Sequence, residues 1–250
     1  MEKIGQEFKK FALSKGISSL DLHNYDARAL TPYILEEREM RVTQMDIFSR
    51  LLLDRILWVS GVVDQHMADI VQAQLLFLDS IDKKQEIKLY ISSVGGSVMN
   101  GLGIVDVMKY ISCDVATINL GMAASMGSIL LSSGTKGKRS SLINSRVMIH
   151  QLSSGQSGLI EDTRIQQLES EKYNYILFNI LAENCGKTFQ EVLEAARRDH
   201  WFNSDESLEF GLIDEIIGLS ETSMSISKRL EGFDEYYVKE VMGKTPLLKK

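Results

Sequence analysis

Ser125 lies in the string GMAASMGSILL, where an apolar run meets a stretch crowded with small residues. A serine at such a strand–turn–helix junction holds its hydroxyl at a helix N-terminus, where free N–H groups and the helix dipole favour developing negative charge. The N–H of Met126 would face the same anion, as an oxyanion hole requires. The chemistry served would be acyl transfer with serine as nucleophile. Small residues in such a run also serve close helix packing, so the string alone leaves both readings open.

Acyl transfer near neutrality needs a base of the histidine kind. The chain has four histidines: His23, His66, His150 and His200. His23 lies in a polar opening segment, His66 on a helix face and His200 directly after Asp199. His150 ends an apolar strand and opens the loop SSGQSG, which makes it the best placed, although a strand-end histidine is also an ordinary surface residue. Asp199 precedes His200, Trp201 and Phe202, an apolar wall that could desolvate it. As third member it would hold the imidazole tautomer and stabilise the imidazolium; its other reading is an exposed helix-end aspartate. Gly95 and Gly96 form either a tight turn needing positive φ or a second oxyanion donor with no side chain in the way of a substrate backbone. No G-x-G-x-x-G dinucleotide fingerprint is present.

The elements that must position these residues alternate. Ile56–Ser60 reads as a short buried strand, and Val63–Leu78 as a helix with Val63, Met67, Ile70, Val71, Leu75 and Leu78 at helical spacing. Ile87–Ile91 is a strand running into Gly95-Gly96, and Ser97 caps a helix through Tyr110. Val115–Leu120 is a strand followed by a helix over 123–132, and Arg146–His150 is a further strand. A long helix over 159–184 is polar in its first half (LIEDTRIQQLESEK) and apolar nearly all round in its second (YNYILFNILAE), the pattern of an oligomerisation arm that projects from its own domain, or else of a solvated surface helix. Thr188 and Glu191 form a capping box for another helix. Strand–helix alternation of this kind is the α/β pattern. Residues 1–28 read as an appendage and 218–250 as a tail.

Bulk properties narrow the class. A net charge of −6 argues against nucleic acid as the main partner. Cys113 and Cys185 give neither a disulfide framework nor metal-ligand spacing, which points to a reducing, cytoplasmic setting. No apolar run reaches membrane-spanning length and no signal peptide is visible, so a membrane partner is not expected.

Together the strings DIFSRLLLDRI, QAQLLFLDS, YISSVGGSV, GMAASMGSILLSSGTKGKRS, NSRVMIHQ and RDHWFNSDESLEFGLIDEII closely resemble the ClpP family of ATP-dependent caseinolytic peptidases, over residues 29–217. The resemblance implies a crotonase-like α/β superhelix of βαβ units with a protruding handle at 151–184. It implies Ser125 as nucleophile, His150 as base, Asp199 as orienter, and the N–H groups of Gly96 and Met126 as the oxyanion hole, with no cofactor and no metal. It further implies a serine endopeptidase acting on unfolded polypeptides, two stacked seven-membered rings, a partner AAA+ unfoldase ATPase, and an N-terminal extension that is removed. Tyr90, Tyr110, Ile118 and Ile217 would form the apolar pocket for the ATPase. Lys88 and Ser140 depart from its apolar character. Val94, Ile143 and Leu152 stand where the family usually has proline, and Ser154 where it has glycine, which would loosen the loops at the site. Arg197 replaces an acidic residue that pairs between rings with the arginine matched by Arg198; Glu161 or Asp162 would have to compensate. Two rival readings are a structural ring subunit working beside an active paralogue, which loss of a triad member would favour, and a crotonase-type enzyme on acyl-CoA, which would not need Ser125 with His150.

Overall fold

The computed structural model describes residues 33–38, 41–153, 155, 158–218, 225–233 and 237. The extension expected over 1–28, Ser154 of the handle loop and much of the tail beyond 218 lie outside the described residues. The chain divides into two compact units, 1–54 and 55–250.

In the first unit, β1 (Tyr33–Arg38) pairs antiparallel with β2 (Arg41–Asp46), with Arg38 opposite Arg41. Helix α1 (Ile47–Leu53) follows, and the Asp46 carboxylate caps it by accepting from the amides of Phe48 and Ser49, both at 3.0 Å. The sequence reading assigned no element before residue 46, so this strand pair is an addition.

The second unit is built on a sheet with strand order β3-β4-β5-β6-β9, all parallel, where β3 is Ile56–Val63, β4 Ile87–Gly96, β5 Val115–Ala124, β6 Arg139–Leu142 and β9 Glu215–Ile217. Helices α2 (Gln65–Ile81), α3 (Val98–Tyr110) and α4 (Met126–Ser132) are the crossovers. Their buried side chains, among them Val71, Leu75, Ile104, Leu130 and Leu131, meet Leu57, Val59, Leu89 and Ile91 on one sheet face. This is the α/β architecture that the strand–helix alternation predicts.

Three strands were read as shorter than they are: β5 runs on to Ala124 in pairing with β7 (Arg146–Ile149), so the helix expected over 123–132 begins at Met126. β3 and β4 continue to Val63 and Gly96 because they remain hydrogen-bonded up to the glycine turn, with bulges between Gly61 and Val62 and between Ile91 and Ser93. Val63 therefore belongs to the strand, and α2 begins after Asp64, whose side chain caps Met67 N–H at 2.8 Å. The buried stripe of α2 is Ala68, Val71, Leu75 and Leu78, and Ile70 points outward. The strand read as buried is buried on one face only: its burial alternates, and Trp58 is 40% exposed on the face opposite the helices.

The sheet branches along β5. Thr117–Asn119 pair with β6, whereas Met122–Ala124 pair with a different strand, β7 (Arg146–Ile149). Asn119, fully buried, sits at the fork. Its Nδ2 donates to Arg146 O at 3.1 Å, its Oδ1 accepts from Gly121 N–H at 3.2 Å, and its own carbonyl accepts from Ser145 Oγ at 3.2 Å. A polar side chain inside an apolar strand is tolerated because both of its polar atoms are hydrogen-bonded. β7 in turn pairs antiparallel with β8 (His200–Phe202), and the branch β5–β7–β8 carries the site.

Helix α5 (Ile160–Cys185) buries only Leu177, Phe178, Leu181, Ala182 and Cys185, all in its second half, as its two-part composition required. Gly186 in the left-handed region ends it, and the Thr188–Glu191 capping box opens α6 (Phe189–Ala195). α7 (Ser204–Phe210) carries a second box, Asn203 with Glu206, and α8 (Ile226–Arg229) is a short turn of helix in the tail.

Candidate active site

The three candidate catalytic residues lie at the ends of three adjacent strands. β7 is the middle one. On one side Ala124 of β5 pairs with Met148, and the Ser125 amide, next in line, donates to Met148 O at 2.9 Å. On the other side Ile149 pairs with His200, so one step further along the antiparallel ladder His150 faces Asp199. The outcome is Ser125 Oγ at 2.8 Å from His150 Nε2, and Asp199 Oδ1 at 3.3 Å from His150 Nδ1. Residues 25 and 49 positions from the imidazole in sequence thus meet through sheet register alone.

Ser125 sits between β5 and α4 with φ +54° and ψ −121°, one of only two non-glycine residues with positive φ among the described residues. Strain of roughly 1–3 kcal/mol at such a turn persists only where surrounding contacts hold it. Here they are the Met148 bond and the Ser125 carbonyl, which accepts from Ser128 N–H at 3.0 Å and from Ser128 Oγ at 2.6 Å. The Ser125 hydroxyl does not cap its helix, which leaves it for the imidazole.

The glycine pair closes against this turn. A Cβ on Gly95 would lie 2.7 Å from both Ala124 O and Ser125 Cβ, and one on Gly96 would lie 2.4 Å from Val63 O. Gly95 has φ +89°, so glycine is required there twice over. Ser93, fully buried and not singled out from the sequence, holds this loop: its Oγ donates to Gly61 O at 2.6 Å and accepts from Gly95 N–H at 3.1 Å. Gly96, Ser125 and Met126 then line one cavity of about 210 Å³ with His150. Met126 is the first residue of α4, where an N–H has no acceptor within the helix. The cavity wall is apolar, with Val98, Ile129, Ile149, Leu152, Leu177, Phe178 and Leu181.

Two expectations change. Asp199 is not desolvated by the His200–Phe202 segment. Its side chain is 67% exposed, because His200 turns away to stack on Phe202 at 4.2 Å and to approach Ala195 O with Nδ1 at 3.1 Å. The loop after His150 is not simply loosened by having Leu152 in place of proline. Leu152 N–H, which proline lacks, donates to Asn174 Oδ1 at 2.9 Å.

The remaining residues fall elsewhere. Tyr90 and Ile118 are register neighbours on the sheet face away from the helices; Ile118 is buried, and Tyr90 stacks on Trp58 at 5.9 Å, a residue the sequence reading passed over. Ile217 is exposed on β9, and Tyr110, at the end of α3, is 82% exposed. Lys88 and Ser140 share the Tyr90–Ile118 face. Arg197 lies 3.8 Å from Glu194 and Glu161 pairs with Arg164 at 2.9 Å, so within one chain the two sets do not meet; Arg198 and Asp162 are exposed. Neither cysteine competes as a nucleophile. Burial raises both thiols above their ordinary range, Cys185 to about 11, and keeps them protonated.

No helix among the described residues is long and apolar enough to cross a membrane. The Clp protease family model matches residues 37–220. The chain is 47% identical over 215 residues to an ATP-dependent Clp protease proteolytic subunit of Bacteroides fragilis, covering 84% of this chain and 98% of that one. It is 46% identical over 215 residues to that of Porphyromonas gingivalis (84% and 97%), and 45% identical over 194 residues to that of Streptococcus pyogenes (77% and 99%). These matches leave the acyl-CoA reading without support and agree with a serine set in acylation geometry beside an imidazole: the chain belongs to the Clp protease family and is a serine-type endopeptidase subunit.

Proposed function

We propose that Ser125, His150 and Asp199 carry out peptide hydrolysis through an acyl-enzyme. The observation behind this is the 2.8 Å contact between Ser125 Oγ and His150 Nε2 at the mouth of an apolar cavity. His150 takes the Ser125 proton as Oγ adds to the scissile carbonyl, then returns it to the leaving amine. Water repeats the sequence on the ester: His150 takes its proton, the acid is released and Ser125 is reprotonated. Met126 and Gly96 N–H groups hold the oxyanion, and Asp199 fixes the imidazole tautomer. The substrate lies extended beside the Gly95–Gly96 loop, bonded through its backbone, with an apolar side chain in the 210 Å³ cavity. No cofactor or metal takes part.

The substrates are unfolded polypeptides delivered in the cytoplasm by an AAA+ unfoldase ATPase, a role supported by relatives named as subunits of an ATP-dependent protease. Tyr90, Tyr110, Ile118 and Ile217, with Trp58 added, supply exposed or face-sharing apolar groups for that docking. The chain assembles into stacked rings, with Arg197, Arg198, Glu161 and Asp162 at the ring–ring contact. A fluorophosphonate probe tests the chemistry. Purified protein should gain one adduct at Ser125 by intact mass and peptide mapping, and Ser125→Ala should gain none. Peptide turnover by Ser125→Ala within tenfold of wild type would sink the assignment, since loss of a triad nucleophile costs several orders of magnitude.

A further inference from the structure

The cavity beside Ser125 has two facing walls from different elements. Leu152 and Ser153, two and three residues beyond His150, supply one; Leu177, Phe178 and Leu181 of α5 supply the other. Positions 174, 177, 178 and 181 form one stripe on that helix. Three of the four are apolar and buried, and the fourth, half-buried Asn174, accepts the hydrogen bond from Leu152 N–H at 2.9 Å. Residues 151–153 have no helix or strand of their own. The Asn174 side chain is therefore the tie that sets how far the loop wall stands from the helix wall.

We propose that Asn174 is a positioning residue that determines specificity: by holding Leu152 it fixes the width of the cavity, and so the size of the side chain accepted next to the scissile bond. This rests on the reading of that cavity as the substrate side-chain site. An aspartate at 174 keeps the acceptor and an alanine removes it. Proline at 152 removes the donor while restricting the backbone, so it makes the acceptor redundant. One hydrogen bond of ordinary net strength corresponds to roughly two- to tenfold in an equilibrium or rate ratio.

The test uses the full-length protein and three fluorogenic peptides identical except for Ala, Leu or Phe before the cleaved bond. Asn174→Ala should narrow the spread of kcat/KM among them by roughly two- to tenfold, mostly through KM, while fluorophosphonate labelling of Ser125 keeps its rate. Asn174→Asp should retain the wild-type ratios. In a Leu152→Pro background, adding Asn174→Ala should shift the ratios less than twofold. Amide hydrogen exchange at 150–153, read without substrate, should quicken in Asn174→Ala and stay slow in Asn174→Asp. Unchanged ratios, or an equal shift in both backgrounds, would overturn the proposal; with Ser125 still labelled, the peptidase reading would stand. A wild type that neither labels at Ser125 nor cleaves any of the three peptides would overturn both.

Discussion

At the scale of single residues, the site depends on groups whose value is what they lack. Gly95 has no Cβ, and its φ of +89° together with the 2.7 Å approach to Ser125 Cβ leaves no room for one. Gly95→Ala must either tilt the loop away from the nucleophile or shift the Ser125 turn. Either movement would displace the Gly96 N–H from the place proposed for the oxyanion. The expected result is a loss in kcat of about 10²–10³, the cost of one oxyanion donor, with the fold retained by circular dichroism. Ser93→Ala acts on the same loop from beneath by leaving Gly95 N–H without the Ser93 hydroxyl. A smaller loss is expected there, and Ser93→Thr should recover part of it by restoring the hydroxyl. Wild-type kcat in Gly95→Ala would show that this loop does not govern the transition state.

Among elements, the connection that matters most beyond the triad is one buried ion pair. Arg139, 1% exposed, opens β6 and holds Asp214, one residue before β9, through Nε at 2.8 Å and Nη2 at 2.6 Å. Its Nη1 donates to Ser132 O at the end of α4 and to Asn184 O at the end of α5, so one guanidinium joins four elements. Burial by itself would raise the Asp214 carboxyl, but hydrogen bonds from Arg139 and Gly137 and the Arg139 charge outweigh it and bring it down to about 2. A carboxyl depressed on folding contributes stability that is full above its unfolded value near 4 and is lost as pH falls toward 2. The amount is on the order of 2 kcal/mol for such a shift. Chemical denaturation at pH 6 and pH 3 should therefore show an acid loss that is smaller in Asp214→Asn. That variant should also be less stable at pH 6, by about 3–5 kcal/mol, because Arg139 keeps a buried charge without its partner. Equal acid sensitivity in both proteins would assign the loss to other carboxylates. The sequence did not disclose this pair: Arg139 and Asp214 sit in ordinary-looking KGKRS and GLIDEII strings, and only the parallel β6–β9 register brings them together. The strand–helix alternation, the caps at Ser97 and Thr188 and the two-part α5 were legible because they are local patterns. The β1–β2 pair and the exact ends of β3, β4 and β5 were not, since strand ends depend on partners. Ser125, His150 and Asp199 could be singled out by residue type and position, but the sequence grouped them only through family resemblance; what brings them together, the branching of β5 between β6 and β7 with Asn119 at the fork, is a tertiary event.

For the molecule as a whole, the exposed side of the proposed relay would decide how activity couples to the proposed assembly. Asp199 is 67% exposed in the single chain and stands 3.3 Å from His150 Nδ1, so water competes for the carboxylate that should orient the imidazole. Packing of another subunit over this segment would exclude that water and sharpen the orientation. The residues next to it oppose such packing: Arg197 and Arg198 place two positive charges together, and Glu194, 3.8 Å from Arg197 and itself exposed, offsets little. Like charges brought together at a contact cost more than an exposed pair returns. The expected behaviour is weak ring–ring pairing in dilute, low-salt buffer, with peptidase activity rising with protein concentration. Raising ionic strength should screen the arginines and favour the larger particle. Arg197→Asp should do the same at low salt, raise basal activity and remove most of the salt dependence, since it leaves one charge of each sign. Sedimentation velocity and peptide hydrolysis, measured on the same samples across protein and salt concentration, check both halves of this argument. A wild type that is already a stable, fully active double ring at low salt, unchanged by Arg197→Asp, would show that acids from the opposing ring, Glu161 or Asp162 among them, neutralise the pair in the assembly.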